Sequence, residues 1–329
     1  MLARMPPFRH PFGALFSAFC RWAGVGLSVL LASAAPAQAP APCCQSPAAR
    51  EPITPLPAPP EADPLKLSLG ESLYFDTRLS RDGTLACDSC HDVRTNGAGS
   101  PSQFKDRDGS KMPFKILSVF NASLNFRLNW EGNYRDLQSQ TESSFENPAN
   151  LATSVGEILG KLRSDPGITR RFRDAYGRLP DRANLLDALE VFERSLVTPG
   201  SRFDRWLKGE TTALTPAEID GYHLFKSLGC SSCHQGANVG GNLFEHAGIF
   251  RPLTQGPALL LRVPSLRNVA TRPPYFHDGS AATLDEAVRR MAGAQLDQTL
   301  SDQEVGAIVA FLGTLTGTYR GAPVVERVP

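Results

Sequence analysis

Cys230-Ser231-Ser232-Cys233-His234 decides how this chain folds, and Cys87-Asp88-Ser89-Cys90-His91 repeats it upstream. The pattern C-x-x-C-H is the attachment signature of c-type haem. Two thiols three residues apart on one helical turn can each add to a vinyl group on the same porphyrin edge. The histidine that follows then lies under the iron as its proximal ligand. A zinc site or a thiol redox pair is the rival reading, because two C-x-x-C pairs can share one metal. Neither alternative calls for a histidine directly after both pairs. Haem is large and apolar, so each attachment point needs a shell of helices around it.

With 329 residues the chain has room for two domains, one per motif, and 41% hydrophobic content suits buried cores. A formal net charge of +1 gives no reason to expect nucleic acid or an anionic membrane surface as a partner. Residues 1–37 read as a signal peptide. Arg4, Arg9 and Arg21 form a basic region, residues 22–31 an apolar run, and Ala35-Pro36-Ala37 a cleavage site. An uncleaved N-terminal anchor is the rival. Export and covalent haem support each other, since such a protein meets its haem outside the cytoplasm. Residues 38–63, rich in Pro and Ala, read as an extended tether. Cys43 and Cys44 within it fit a lipid anchor, a disulfide or no role at all.

Helical patterning is strongest in five places beyond residue 150. Residues 65–74 open the first folded domain. Ser154 and Glu157 form a capping box ahead of Val155, Ile158, Leu159 and Leu162. A longer helix follows Asp181, with Leu185, Leu189, Phe192 and Leu196 at three- and four-residue spacing. The breaker cluster Thr198-Pro199-Gly200 marks the expected domain boundary. Beyond it, Thr215, Pro216 and Glu218 start a helix that delivers the chain to Cys230. Thr283 with Glu286, and Ser301 with Glu304, start two more, the first presenting Leu284, Val288 and Met291. Residues 95–111 show little periodicity, and no run of alternating strands appears. The expected class is mainly α, with domains at 64–199 and 200–320 and a tail at 321–329.

Several further stretches stand in one order along the chain. They are Tyr74-Phe75-Asp76-Thr77-Arg78-Leu79-Ser80, Val119-Phe120-Asn121-Ala122, Trp130-Glu131-Gly132, Phe192-Glu193-Arg194-Ser195-Leu196 and Ser201-Arg202-Phe203-Asp204. Ser265-Leu266-Arg267-Asn268, Pro274-Tyr275-Phe276-His277-Asp278-Gly279 and the segment from Met291 to Leu296 complete them. With the two haem motifs, they resemble the bacterial dihaem cytochrome c peroxidases and the related dihaem enzymes that oxidise a side chain on a partner protein. The resemblance runs from about residue 65 to residue 317.

It implies two cytochrome-c-like helical domains, each carrying one covalent haem c, in a periplasmic enzyme. Cys87, Cys90 and His91 would hold the peroxide-reacting haem; Cys230, Cys233 and His234 would hold the one through which electrons enter. Met291 aligns with the methionine that completes the second iron, a thioether that raises its potential; its plain alternative is a core methionine. Trp130 aligns with a tryptophan between the haems, and His277 with a histidine near the second haem's edge. Their plain alternatives are a core and a turn residue. Gln140 aligns with a distal glutamine, but Asn150 stands where the family has a glutamate. An amide cannot shuttle a proton near neutral pH, which leaves Glu146, Glu142 or a water chain as substitutes. No histidine occurs between His91 and His223, so the distal ligand found in many relatives has no counterpart and an open iron is expected.

The implied reaction is reduction of hydrogen peroxide to water with electrons from a small periplasmic cytochrome c or cupredoxin. Oxidation of a partner side chain and plain electron carriage are the alternatives. The protein-oxidising relatives typically carry tyrosine where Met291 stands. The family usually binds calcium between its domains through an asparagine whose place falls on Lys115, and through carbonyls near Arg272 and Pro274. Calcium is thus implied by the family and put in doubt by the lysine. Whether the chain forms a homodimer is not legible.

Overall fold

Helix starts fall where side-chain oxygens can satisfy the first free backbone N–H groups. In the computed structural model, which describes residues 51–99, 112–256 and 258–326, Asp63 caps α1 (Pro64–Tyr74), accepting from Leu65 N and Lys66 N. The expected leader and Cys43 and Cys44 lie outside the described residues. α2 (Cys87–Cys90) is a single turn, and α3 (Leu137–Glu146) starts behind Asp136. Ser154 and Glu157 form the expected box on α4 (Val155–Arg163). α5 (Pro166–Tyr176) and α6 (Arg182–Ser195) follow, capped by Asp165 and Asp181. After the short α7 (Arg202–Leu207), Thr215 and Glu218 box the start of α8 (Pro216–Ser227). α9 (Leu284–Leu296) and α10 (Asp302–Gly313) start on Thr283 and Ser301, as expected. Among the described residues strands are confined to two small ladders: β1 (Phe244–His246) with β2 (Leu260–Arg262), and β3 (Thr318–Tyr319) with β4 (Ala322–Pro323). The mainly α class holds.

Two helix crossings built alike carry the two cores. α1 crosses α6 at Gly70, where an added Cβ would stand 1.9 Å from the Ala188 carbonyl oxygen. α8 crosses α10 at Gly221, where it would stand 2.0 Å from the Ala307 carbonyl oxygen. Only glycine lets backbones approach this closely. Leu69, Leu73, Phe145, Phe172 and Leu189 fill the first core, and Phe203, Tyr222, Phe225, Ile308 and Phe311 the second. Burying each such side chain contributes roughly 1.5–3 kcal/mol.

The expected boundary is no exposed linker. Thr198 is 1% exposed and joins the two lobes. Its hydroxyl accepts from Asn121 Nδ2 at 2.9 Å and from Asn268 Nδ2 at 3.0 Å. Asn121 and Asn268 take the left-handed conformation, φ 61° and 57°, ahead of matching short 3₁₀ turns. Asparagine tolerates that region better than most residues.

Both chain ends correct the sequence reading. The tether expected over 38–63 is packed from residue 51 onward. Ile53 and Leu56 are buried, Ile53 in the second core, and Glu51 accepts from the Tyr222 hydroxyl at 2.6 Å. Two apolar residues among the prolines, with the polar contacts of Glu51 and Thr54, seat the segment. The tail expected from 321 returns instead to the first lobe: Val324 is buried with Tyr74, Phe120 and Phe192, and Arg320 pairs with Glu71 at 2.7 Å. The division at 64–199 and 200–320 therefore leaves out a strap at each end.

Candidate active site: two cavities and a shared tryptophan

The turn of α2 brings Cys87, Cys90 and His91 to one cavity of about 600 Å³. His91 N donates to Cys87 O at 2.9 Å, and the Tyr74 hydroxyl donates to His91 O at 2.6 Å. His91 Nδ1 lies 3.2 Å from Gly97 O. A carbonyl on one ring nitrogen leaves the other for a metal. Burial pushes the Cys87 thiol up to about 12 and the Cys230 thiol to about 11. Among the described residues no group of three or more His, Cys, Asp or Glu could hold a metal ion by itself.

Gln140 and Thr141 of α3, Asn150 after it, and Glu193 of α6 also line this cavity. Gln140 Nε2 donates to Ser144 Oγ at 3.3 Å, while its Oε1 is buried without a partner. Thr141 Oγ1 donates to Glu193 at 3.3 Å. Burial holds Glu193 up at about 8, against the lowering effect of that hydrogen bond and with a small push from Glu190. Its remaining exposure is to the cavity. The expected substitutes for the missing glutamate do not reach. Glu146 is exposed and outside the lining, and Glu142 is turned away into an ion pair with Arg182. Met112 lines the cavity too, a residue that sequence reasoning passed over.

A second cavity, about 220 Å³, receives Cys230, Cys233 and His234 from the 3₁₀ turn after α8, and Met291 from α9. His234 is 8% exposed, and burial pushes its imidazole down to about 4, so it is neutral as a metal ligand must be. Leu284, Val288 and Met291 are only half-buried because their helix face looks into this cavity.

Trp130, 8% exposed, lines both cavities, as do Lys115, Arg262 and Arg272. The indole Nε1 donates to Lys115 O at 2.9 Å, and the ring stands 6.1 Å from that of His277. His277, 6% exposed, lines the second cavity; burial pulls it below the usual histidine range, with Asp278 pulling back. Burial likewise lowers Arg262 and Arg272 to about 10. Arg262 Nε donates to Asn129 O and Arg272 Nη2 to Ser265 O; neither has a carboxylate partner among the described residues, and Arg272 Nε has none at all. Buried cations left unpaired are costly. Carboxylate groups entering from the two cavities would pair them, which is what the propionates of haem supply. The thiols, the imidazoles, the apolar walls and these arginines thus fit two haem groups.

A family model for di-haem cytochrome c peroxidase matches residues 64–212, and one for cytochrome c matches residues 219–316. Cytochrome c551 peroxidase of Nitrosomonas europaea is 40% identical over 290 residues, 82% of this chain and 85% of that protein. Cytochrome c peroxidase Ccp of Escherichia coli is 37% identical over 287 residues, 82% of this chain and 62% of that protein. Among solved structures, a MauG-like protein associated with microbial copper homeostasis superposes with a TM-score of 0.70 at 26% identity, over 80% of this chain and 94% of that one. With both attachment motifs set in matching cavities, the chain belongs to the dihaem cytochrome c peroxidase family and is an enzyme of the cytochrome c peroxidase class.

Proposed function

We propose that the protein is a periplasmic peroxidase that reduces hydrogen peroxide to water at the His91 cavity with electrons received at the His234 cavity. The reaction consumes two electrons and two protons per peroxide and releases two waters. The observation that carries this reading is Trp130 in the wall of both cavities. Bound haem would supply the redox chemistry at each end. The residues supply the rest. His234 and Met291 offer an imidazole and a thioether to one iron, a pair that favours the reduced state and suits electron entry. Gln140 and Asn150 offer amide groups to orient peroxide. Of the acidic residues lining the His91 cavity, Glu131 is exposed, whereas Glu193 keeps its proton up to about pH 8 and can release it inside.

A small cytochrome c or cupredoxin is the proposed donor. No described helix is long and apolar enough to cross a membrane, so the export proposal rests on the leader's composition. Steady-state peroxide consumption by the holoprotein with reduced cytochrome c is the test. Rapid turnover supports the reading. A long-lived state oxidised by two equivalents with negligible turnover would favour oxidation of a partner protein, a possibility kept in view by Asn150. No reaction with peroxide would leave an electron carrier.

A further inference from the structure

Lys115 sits at the meeting point of the two cavities, and its contacts are those of a bound cation. Its Nζ donates to Arg272 O at 3.1 Å and to Pro274 O. Its own backbone is held on both sides: N donates to His277 O at 2.7 Å, and O accepts from Trp130 Nε1 at 2.9 Å. One residue of the first lobe thereby fixes the second-lobe segment 272–277, together with the tryptophan between the cavities.

The calcium that the family implies does not fit here. Calcium takes about 6–8 oxygen ligands, usually with carboxylates among them. The two carbonyl oxygens that face this point are already engaged by Nζ, and among the described residues no acidic side chain contacts it.

We propose that Lys115 Nζ takes, as a built-in substitute, the seat between the cavities that a divalent ion would otherwise fill, so that this protein joins its two lobes without calcium. Burial pushes Lys115 down to about 7, with the Arg272 charge adding to the effect. This does not empty the seat, because an amine still carries two N–H donors, one for each carbonyl. The inference rests on the contacts of Lys115 and is independent of the peroxidase reading.

The test is metal content and thermal unfolding of the purified holoprotein, with both haems attached, after chelation and after calcium is added back. Wild-type protein is expected to hold no stoichiometric calcium and to unfold at the same temperature in EDTA and in calcium. Lys115→Asn replaces the nitrogen by a carbonyl oxygen and frees the two backbone oxygens. It is expected to take up one calcium and to show a midpoint that climbs with calcium concentration. Lys115→Met supplies no oxygen and is expected to lose stability in both conditions. Wild-type protein that carries one tight calcium, or whose midpoint falls on chelation and recovers with calcium, would overturn the proposal. So would a folded Lys115→Asn protein indifferent to calcium. If that variant does not fold, the wild-type measurement alone decides.

Discussion

Thr141 on α3 donates its hydroxyl to Glu193 on α6 at 3.3 Å, and the two side chains together wall the His91 cavity beside Gln140. A carboxyl held at about 8 by burial is a stored proton at neutral pH. Peroxide reduction consumes protons, so turnover should fall as pH rises through about 8 and Glu193 loses its own. Glu193→Gln should lower kcat by on the order of 100-fold and abolish that alkaline limb. The sign for stability is opposite to that of an ordinary ion-paired acid. Because the folded value lies above the unfolded one, the wild type loses stability relative to Glu193→Gln between about 4.5 and 8 and no further above. A pH-rate profile paired with unfolding of both proteins checks the two halves. A glutamine variant with full activity and an unchanged profile would remove Glu193 from the reaction.

Trp130 supplies the one ring that both cavities share beside His277 and Phe114, which stand 6.1 and 6.4 Å from it. Trp130→Phe keeps an aromatic core and gives up the hydrogen bond to Lys115 O, at a cost of about 1 kcal/mol. Reduction of the His234 haem by an external donor should proceed at the wild-type rate. Passage of that electron to the His91 haem should slow, and peroxide turnover with it. Stopped-flow spectra that resolve the two haems separate these steps; equal internal transfer in both proteins would make Trp130 a core residue only.

Much of this was legible in the sequence, and the exceptions have two physical causes. Capping boxes at Ser154, Thr215 and Ser301 announced their helices because the apolar residues behind them pack on protein. α3 gave no such signal. Its inner face is Leu137, Thr141 and Phe145 with Gln140 beside them, half polar because it looks into a cavity. The periodicity of α9 did show, yet Leu284, Val288 and Met291 are half-buried for the same reason. Residues that face a cofactor rather than a core blur the pattern from which helices are read. In the sequence Glu193 is one position of a motif and nothing more, since its burial depends on α3. The straps at Ile53 and Val324 escaped because short proline-flanked segments carry no periodicity, and their seats are made by distant residues.

Met112 brings a thioether to the His91 cavity, which makes the expected open iron a question that can be settled. The absence of histidine between His91 and His223 removes the usual displaceable ligand. The oxidised holoenzyme should therefore show one high-spin and one low-spin haem by EPR. Met112→Leu should leave both signals as they are, while Met291→Ala should change the low-spin one. Two low-spin haems in the wild type, one of them lost in Met112→Leu, would assign the thioether as a ligand and close the site that peroxide needs.

Among the described residues Arg267 is the largest fully buried side chain, and its guanidinium meets Asp204 at 2.8 Å with both groups at 0–1% exposure. Three more donors go to Ala237 O, Ser201 Oγ and, through Nη2, Thr54 O on the N-terminal strap. Burial pulls the arginine below its usual range, and Asp204 offsets this. Removing the carboxylate leaves a charge with nowhere to go, because no solvent reaches it. Asp204→Asn should cost about 3–5 kcal/mol, whereas replacing the pair by apolar residues of similar volume can be neutral. The strap provides the finer check. If Arg267 is what seats it, Arg267→Met should expose the backbone around Thr54 to hydrogen exchange while α8 and α10 stay protected. Unchanged exchange at Thr54 in a folded variant would leave Ile53 and Glu51 as the anchors instead.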